Sequence, residues 1–96
     1  MSEPLEQDAI ELALAALSGW RHEDDKLKKR FKLGDFREAM SFLVRIGFEA
    51  EALNHHPEIY NVYNTVEIAL TTHDAGNKVT AKDVELAASI ESFLGD

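Results

Sequence analysis

Residues 59–73 read "IYNVYNTVEIALTTH". Tyr60 and Val62 alternate with their neighbours before Asn64, and Val66, Ile68, Leu70 and Thr72 do so after it. Period-two alternation in short β-branched and aromatic runs marks strands, and Asn suits a tight turn between them. The stretch predicts an antiparallel hairpin turning near Asn64. A residue at position i then lies level with one near 128 − i or 129 − i, for a loop of three residues or two.

Working outward, residues 19–34, "GWRHEDDKLKKRFKLG", show the same pattern: Leu27, Phe31 and Leu33 alternate with Lys28, Arg30 and Lys32, and Asp24–Asp25 supply a turn after Trp20–Glu23. Two further strands follow from this. Helical spacing appears in three places. Ile10, Ala13, Leu14 and Leu17 form one row ahead of Gly19. Phe36, Ala39, Met40, Leu43, Ile46, Gly47 and Ala50 form another, with Asp35 as N-cap and Glu38 three residues on, predicting a helix from about Phe36 to about Leu53. Thr80 and Asp83 make a capping-box start to a last helix carrying Val84, Leu86, Ala87, Ile90, Phe93 and Leu94. The order is α-β-β-α-β-β-α, an α+β fold with a four-stranded antiparallel sheet and helices packed on one face. The 96 residues suit one domain, 1–96. The last helix carries two apolar rows, Val84–Ala87–Ala88 and Leu86–Ile90–Phe93, more than one small core absorbs, which predicts a homodimer or homotetramer formed through helices.

A formal net charge of −8 argues against binding nucleic acid or an anionic membrane, since both draw affinity from Lys and Arg on phosphates. The one basic cluster, Lys28, Lys29, Arg30 and Lys32, falls in a strand pattern and reads as a solvated sheet face. There is no cysteine, which excludes disulfides, thiolate chemistry and cysteine metal sites. No run approaches a membrane span, and "MSEPLEQDAIELALAAL" lacks a basic segment followed by an apolar one, so a cytoplasmic location is expected.

The chemistry points to histidine. "EALNHHP" (51–57) sets Glu51 ahead of His55–His56 and ends any helix at Pro57. The hairpin extrapolation brings His73 level with His55 or His56, so three of the four histidines converge at one sheet edge. An imidazole, with an unperturbed pKa of about 6.5, gives or takes a proton near neutrality, and two can serve a reaction that moves two protons. Glu51 or Asp83 is placed to hold a tautomer. Simpler readings stand beside this. A His-His-Pro run also serves as a polar helix terminus, Asp83 as a helix N-terminal acid, Tyr63 as a packing aromatic and His22 as a surface residue. Three histidines also suit zinc, although adjacent residues seldom face one ion.

Glu51, His55, His56, Pro57, Tyr63, His73 and Asp83, at these offsets, resemble the pterin-4a-carbinolamine dehydratase family, the dimerisation cofactors of a hepatocyte homeodomain factor. "LSGW", "RFKLGDFREAMSFL" and "LTTH", which contains Thr72, extend the resemblance over nearly the whole chain, while "DAGNKVT" departs from the Gly-Gly-Leu-Thr run of many members. The resemblance implies a cofactor-free, metal-free dehydration in tetrahydropterin recycling. A 4a-hydroxytetrahydropterin loses its N5 proton and its 4a-hydroxyl, as water, to give quinonoid dihydropterin. It further implies catalytic His55, His56 and His73, with Glu51, Pro57, Tyr63, Thr72 and Asp83 binding or supporting. His55 takes the proton transfer at the 4a/N5 centre, His73 is its acid/base partner, and His56 orients the pterin. The alternative is a non-catalytic dimerisation or coactivator scaffold for a transcription factor.

Overall fold

A computed structural model describes residues 3–94. Its elements are α1 (Gln7–Ala15), β1 (Arg21–Glu23), β2 (Lys26–Lys32), α2 (Phe36–Leu53), β3 (Glu58–Val62), β4 (Thr65–Leu70), a 3-10 turn at His73–Ala75 and α3 (Ala81–Ser92). The strands form one antiparallel sheet in the order β1-β2-β4-β3. The α-β-β-α-β-β-α order is the expected one, because each start signal is used. Asp35 accepts from the Glu38 N–H at 2.8 Å to open α2, and Thr80 and Asp83 close a capping box at α3.

One sheet face is apolar and carries the helices. Leu27 and Phe31 of β2 and Val66, Ile68 and Leu70 of β4 are buried against Ala39, Phe42, Ile46 and Ala50 of α2 and Leu86, Ala87 and Ile90 of α3. Trp20, Phe31 and Phe42 run edge to face through this layer and Phe93 tilts against Phe42, with successive centroids 6.0, 4.9 and 5.9 Å apart. Lys29 also lies on the helix side. It donates to Glu91 at 2.6 Å and to the Ser18 carbonyl at 2.8 Å, and Glu91 accepts from Trp20 Nε1. The rest of the basic cluster lies on the open face, where Lys28 meets Glu23 and Asp24, and Arg30 meets Glu67.

Two details differ from the sequence-based expectation. Val62 pairs with Thr65 and Tyr60 with Glu67, so partners sum to 127 and the loop is Tyr63–Asn64, one residue earlier than expected. Tyr63 takes φ 49°, and the Asn61 amide donates to the carbonyls of Tyr63 and Thr65, which holds that residue in the left-handed region. A one-residue slip exchanges faces. Tyr60 and Val62 therefore lie exposed, while Ile59 faces the helix side opposite Ile68. On α3, Leu86, Ala87 and Ile90 are buried, and Val84 and Phe93 pack on the core, so of the two apolar rows only Ala88 is left open. Exposed apolar side chains lie instead on α2, at Phe36, Val44 and Phe48, on β3 and its turn, at Ile59, Tyr60, Val62 and Tyr63, and at Leu12 of α1.

Candidate active site

The site begins where α2 stops. Asn54 adopts φ 52°, ψ 44°, a left-handed cap that lets the His55 N–H return to the Ala50 carbonyl at 3.0 Å and the Asn54 N–H to Glu51 at 3.1 Å. This pair of bonds is a Schellman closure with Asn in the usual glycine place. It turns the chain so that His55 points inward while Pro57 leads into β3. On the other side, β4 ends at Leu70, and Thr72 closes a loop by pairing with Lys78 across Gly76 and Asn77, both at positive φ. Thr80 then caps α3. Two helix ends and one strand end thus meet around a cavity of ≈ 220 Å³ lined by Asn54, His55, His56, Thr72, His73, Asp74 and Lys82.

His55 is 8% exposed, and its Nε2 lies 2.5 Å from Asp83 Oδ1. Asp83 is fully buried, and its Oδ2 accepts from Thr72 Oγ1 at 2.8 Å and from the Thr80 N–H at 2.9 Å. A buried carboxyl group needs hydrogen-bond partners in place of water, and the Thr72 hydroxyl and the Thr80 N–H supply two donors beside the His55 contact. Its place in the first turn of α3 adds the favourable end of the helix dipole. The chemical result is an imidazole clamped at one nitrogen with the other free to act. His56, by contrast, is exposed and meets Glu51 at 2.9 Å on the rim. His73 stands exposed on the 3-10 turn across the cavity.

The three histidines and Thr72 share this cavity, Asp83 stands directly behind His55, and Glu51 touches His56 only. Pro57 is half-buried at the start of β3. Tyr63 is not part of the site within one chain. It lies 62% exposed at the tip of the β3–β4 hairpin, six residues beyond Pro57, roughly 20 Å of extended chain from the cavity. The offset from the histidines is real in sequence, but β3 carries it away. Asn54, Asp74, Lys82 and Thr80 were missed. Thr80 had a signal, since a capping box ties its backbone and hydroxyl to Asp83. Lys82 follows Thr80 into the first turn of α3, where nothing in the spacing marks its side chain for the cavity. Among the described residues, no cluster of three or more His, Cys, Asp or Glu side chains is arranged to hold a metal ion.

The family described as pterin 4 alpha carbinolamine dehydratase matches residues 3–93. A protein of Opitutus terrae, provisionally named pterin-4-alpha-carbinolamine dehydratase, is 61% identical over 89 residues, which cover 93% of this chain and 92% of its own. One of Solibacter usitatus with the same provisional name is 45% identical, with 97% of each chain covered. Among solved structures, a transcriptional coactivator/pterin dehydratase from Brucella melitensis superposes with TM-score 0.89 at 36% identity, covering 94% of this chain and 97% of its own. A pterin dehydratase-like protein identified as a RuBisCO assembly factor in the alpha-carboxysome superposes with TM-score 0.68 at 25% identity, covering 81% and 92%.

Proposed function

This chain belongs to the pterin 4 alpha carbinolamine dehydratase family, and we propose that its cavity dehydrates a 4a-hydroxytetrahydropterin to quinonoid dihydropterin and water. The observation that carries the reading is the clamped His55, held on the buried Asp83 and opening into the same cavity as His73 and His56. The reaction removes the N5 proton, forms the C4a–N5 double bond and protonates the departing 4a-hydroxyl. His55 serves one of these proton transfers and His73 the other, while His56 and Lys82 on the rim bind the pterin. No redox change occurs, and the proton taken from N5 balances the one delivered to the hydroxyl. Glu51 supports His56, and Asp83 with Thr72 supports His55. A chelator-treated preparation that accelerates dehydration in a coupled hydroxylase assay is the expected result. Wild type no faster than buffer would remove the reading.

A scaffold role is the second reading, favoured by the Brucella melitensis relative, whose name joins a coactivator to a dehydratase. Either role suits a homo-oligomer inside the cell. The surface that supports association is the α2 stripe, where Phe36, Val44 and Phe48 are 48%, 59% and 69% exposed.

A further inference from the structure

Thr80 lies outside the cavity wall, 1% exposed, and touches no histidine, yet its hydroxyl sits inside an unbroken chain of hydrogen bonds that ends on His55. The direction of that chain follows from counting hydrogens. The Lys82 N–H donates to Thr80 Oγ1 at 3.2 Å, which leaves Thr80 its own hydrogen for Thr72 Oγ1, 2.7 Å away. Thr72 has one hydrogen, which goes to Asp83 Oδ2 at 2.8 Å. The reverse order would leave that hydroxyl oxygen facing a carboxylate oxygen with no hydrogen between them. Oδ2 also takes the Thr80 N–H at 2.9 Å, and an oxygen receiving two hydrogens has no place for a proton of its own. Only Oδ1 faces His55, and a carboxylate oxygen can only accept, so a hydrogen in that 2.5 Å contact is one carried by Nε2.

Resting on the dehydratase reading, we propose that the hydroxyls of Thr72 and Thr80 set the tautomer of His55, placing its proton on Nε2 and making Nδ1 the nitrogen that works on the substrate. Nδ1 has no partner among the described residues, and no buried side-chain nitrogen or oxygen among them lacks one, so Nδ1 is not sealed in, and the cavity is the open space that His55 lines. In the neutral ring it is a lone pair and accepts a proton, and in the cation it returns one. Thr72 and Thr80 are positioning residues. They act through Asp83, and their work is to keep the acceptor oxygen turned to His55.

A purely structural network would tolerate Asp83→Asn with the ring unchanged, whereas a directed one does not. Two donors at the Oδ2 position demand the amide oxygen there, so the amide NH₂ faces His55. Nε2 must then accept, and the proton moves to Nδ1. Long-range ¹H–¹⁵N spectra of the histidine rings, taken where they are neutral, read this without any assay. The wild type is expected to show Nε2–H at His55. Free imidazole leans the same way, so the Asn variant decides. Asp83→Asn is expected to show Nδ1–H and to lose kcat by about 10²–10⁴-fold. Thr72→Val is expected to give a mixture of tautomers and roughly a tenfold loss in kcat with KM little changed, the scale of one charge-assisted hydrogen bond. Thr80→Ala is expected to move both readouts the same way, and Thr72→Ser and Thr80→Ser to restore them. A folded Asp83→Asn protein that keeps Nε2–H at His55 overturns the proposal. If that variant does not fold, equal tautomer ratios in Thr72→Val and Thr72→Ser do the same. A wild type without turnover would sink the dehydratase reading, while the ring spectra would still decide the tautomer.

Discussion

His55 and His56 are neighbours in sequence, but their side chains are 9% and 61% exposed. The left-handed cap at Asn54 turns one ring into the fold, and Pro57 holds the next residue on the rim. Their roles in the proposed reaction differ for the same reason. A ring that is buried and clamped can hold a proton in one direction, while an exposed ring paired with an exposed Glu51 contributes contact area and little orientation. His56→Ala is therefore expected to raise KM severalfold and leave kcat within about threefold, checked by steady-state kinetics; a kcat loss as large as that of His55→Ala would reverse the assignment. The spacing of the histidines is legible in the amino-acid sequence, since their offsets and the hairpin are local features. Which histidine is buried is not, because it depends on a cap dihedral and on Asp83, 28 residues further on. Tyr63 is the opposite case: its offset suggests a site residue, and within one chain the length of β3 carries it away from the others.

At the scale of elements, the end of α2 sets the geometry. Asn54→Gly relieves the left-handed strain and is expected to leave stability equal or slightly higher. Asn54→Val is expected to cost about 1–2 kcal/mol in urea unfolding, because a β-branched side chain resists positive φ. Equal stabilities of the two variants would show that the cap conformation is not maintained. Farther up the helix, Arg45 Nε donates to Glu49 at 2.8 Å, and Glu49 accepts from Ser89 of α3 at 3.2 Å. The Arg45 guanidinium holds the Glu49 carboxyl below its ordinary value of 4.5, against a smaller upward push from burial, with Ser89 adding to the lowering. A depressed folded value contributes stability that is complete above 4.5 and is lost as pH falls through the folded midpoint. A carboxyl NMR titration is expected to place Glu49 below 4.5 and to return it upward in Arg45→Ala. A midpoint at or above 4.5 in the wild type would contradict the contact. Helix starts are readable from sequence because caps are short motifs. The hairpin register is not, because a loop at residues 63–64 and one at 64–65 look alike until Asn61 is seen holding Tyr63.

The molecule as a whole has a helix-covered sheet face, an open face where paired charges lie beside the exposed Tyr60 and Val62, and an α2 whose outer side remains apolar. Phe36, Val44 and Phe48 repeat along α2, and a Cβ built on Gly47 beside them meets nothing within 4 Å. That stripe suits a second copy laid against it. Phe48→Glu is expected to convert a sedimenting oligomer to monomer with per-chain turnover intact, since His55, His73 and Asp83 meet within one chain. A wild type already monomeric at micromolar concentration would sink the association. The apolar rows of α3 in the sequence point to an oligomer through helices; the core absorbs most of those rows, and exposed apolar side chains on a helix are found on α2. No helix among the described residues is long and apolar enough to cross a membrane.

The most direct test of the whole account compares the wild type with His55→Ala in dehydration of freshly generated 4a-hydroxytetrahydropterin, in chelator and with folding checked by circular dichroism. The account predicts rapid turnover by the wild type and a fall of about 10²–10⁴-fold in the variant. Equal rates for the two proteins, or a wild type indistinguishable from buffer, would contradict it.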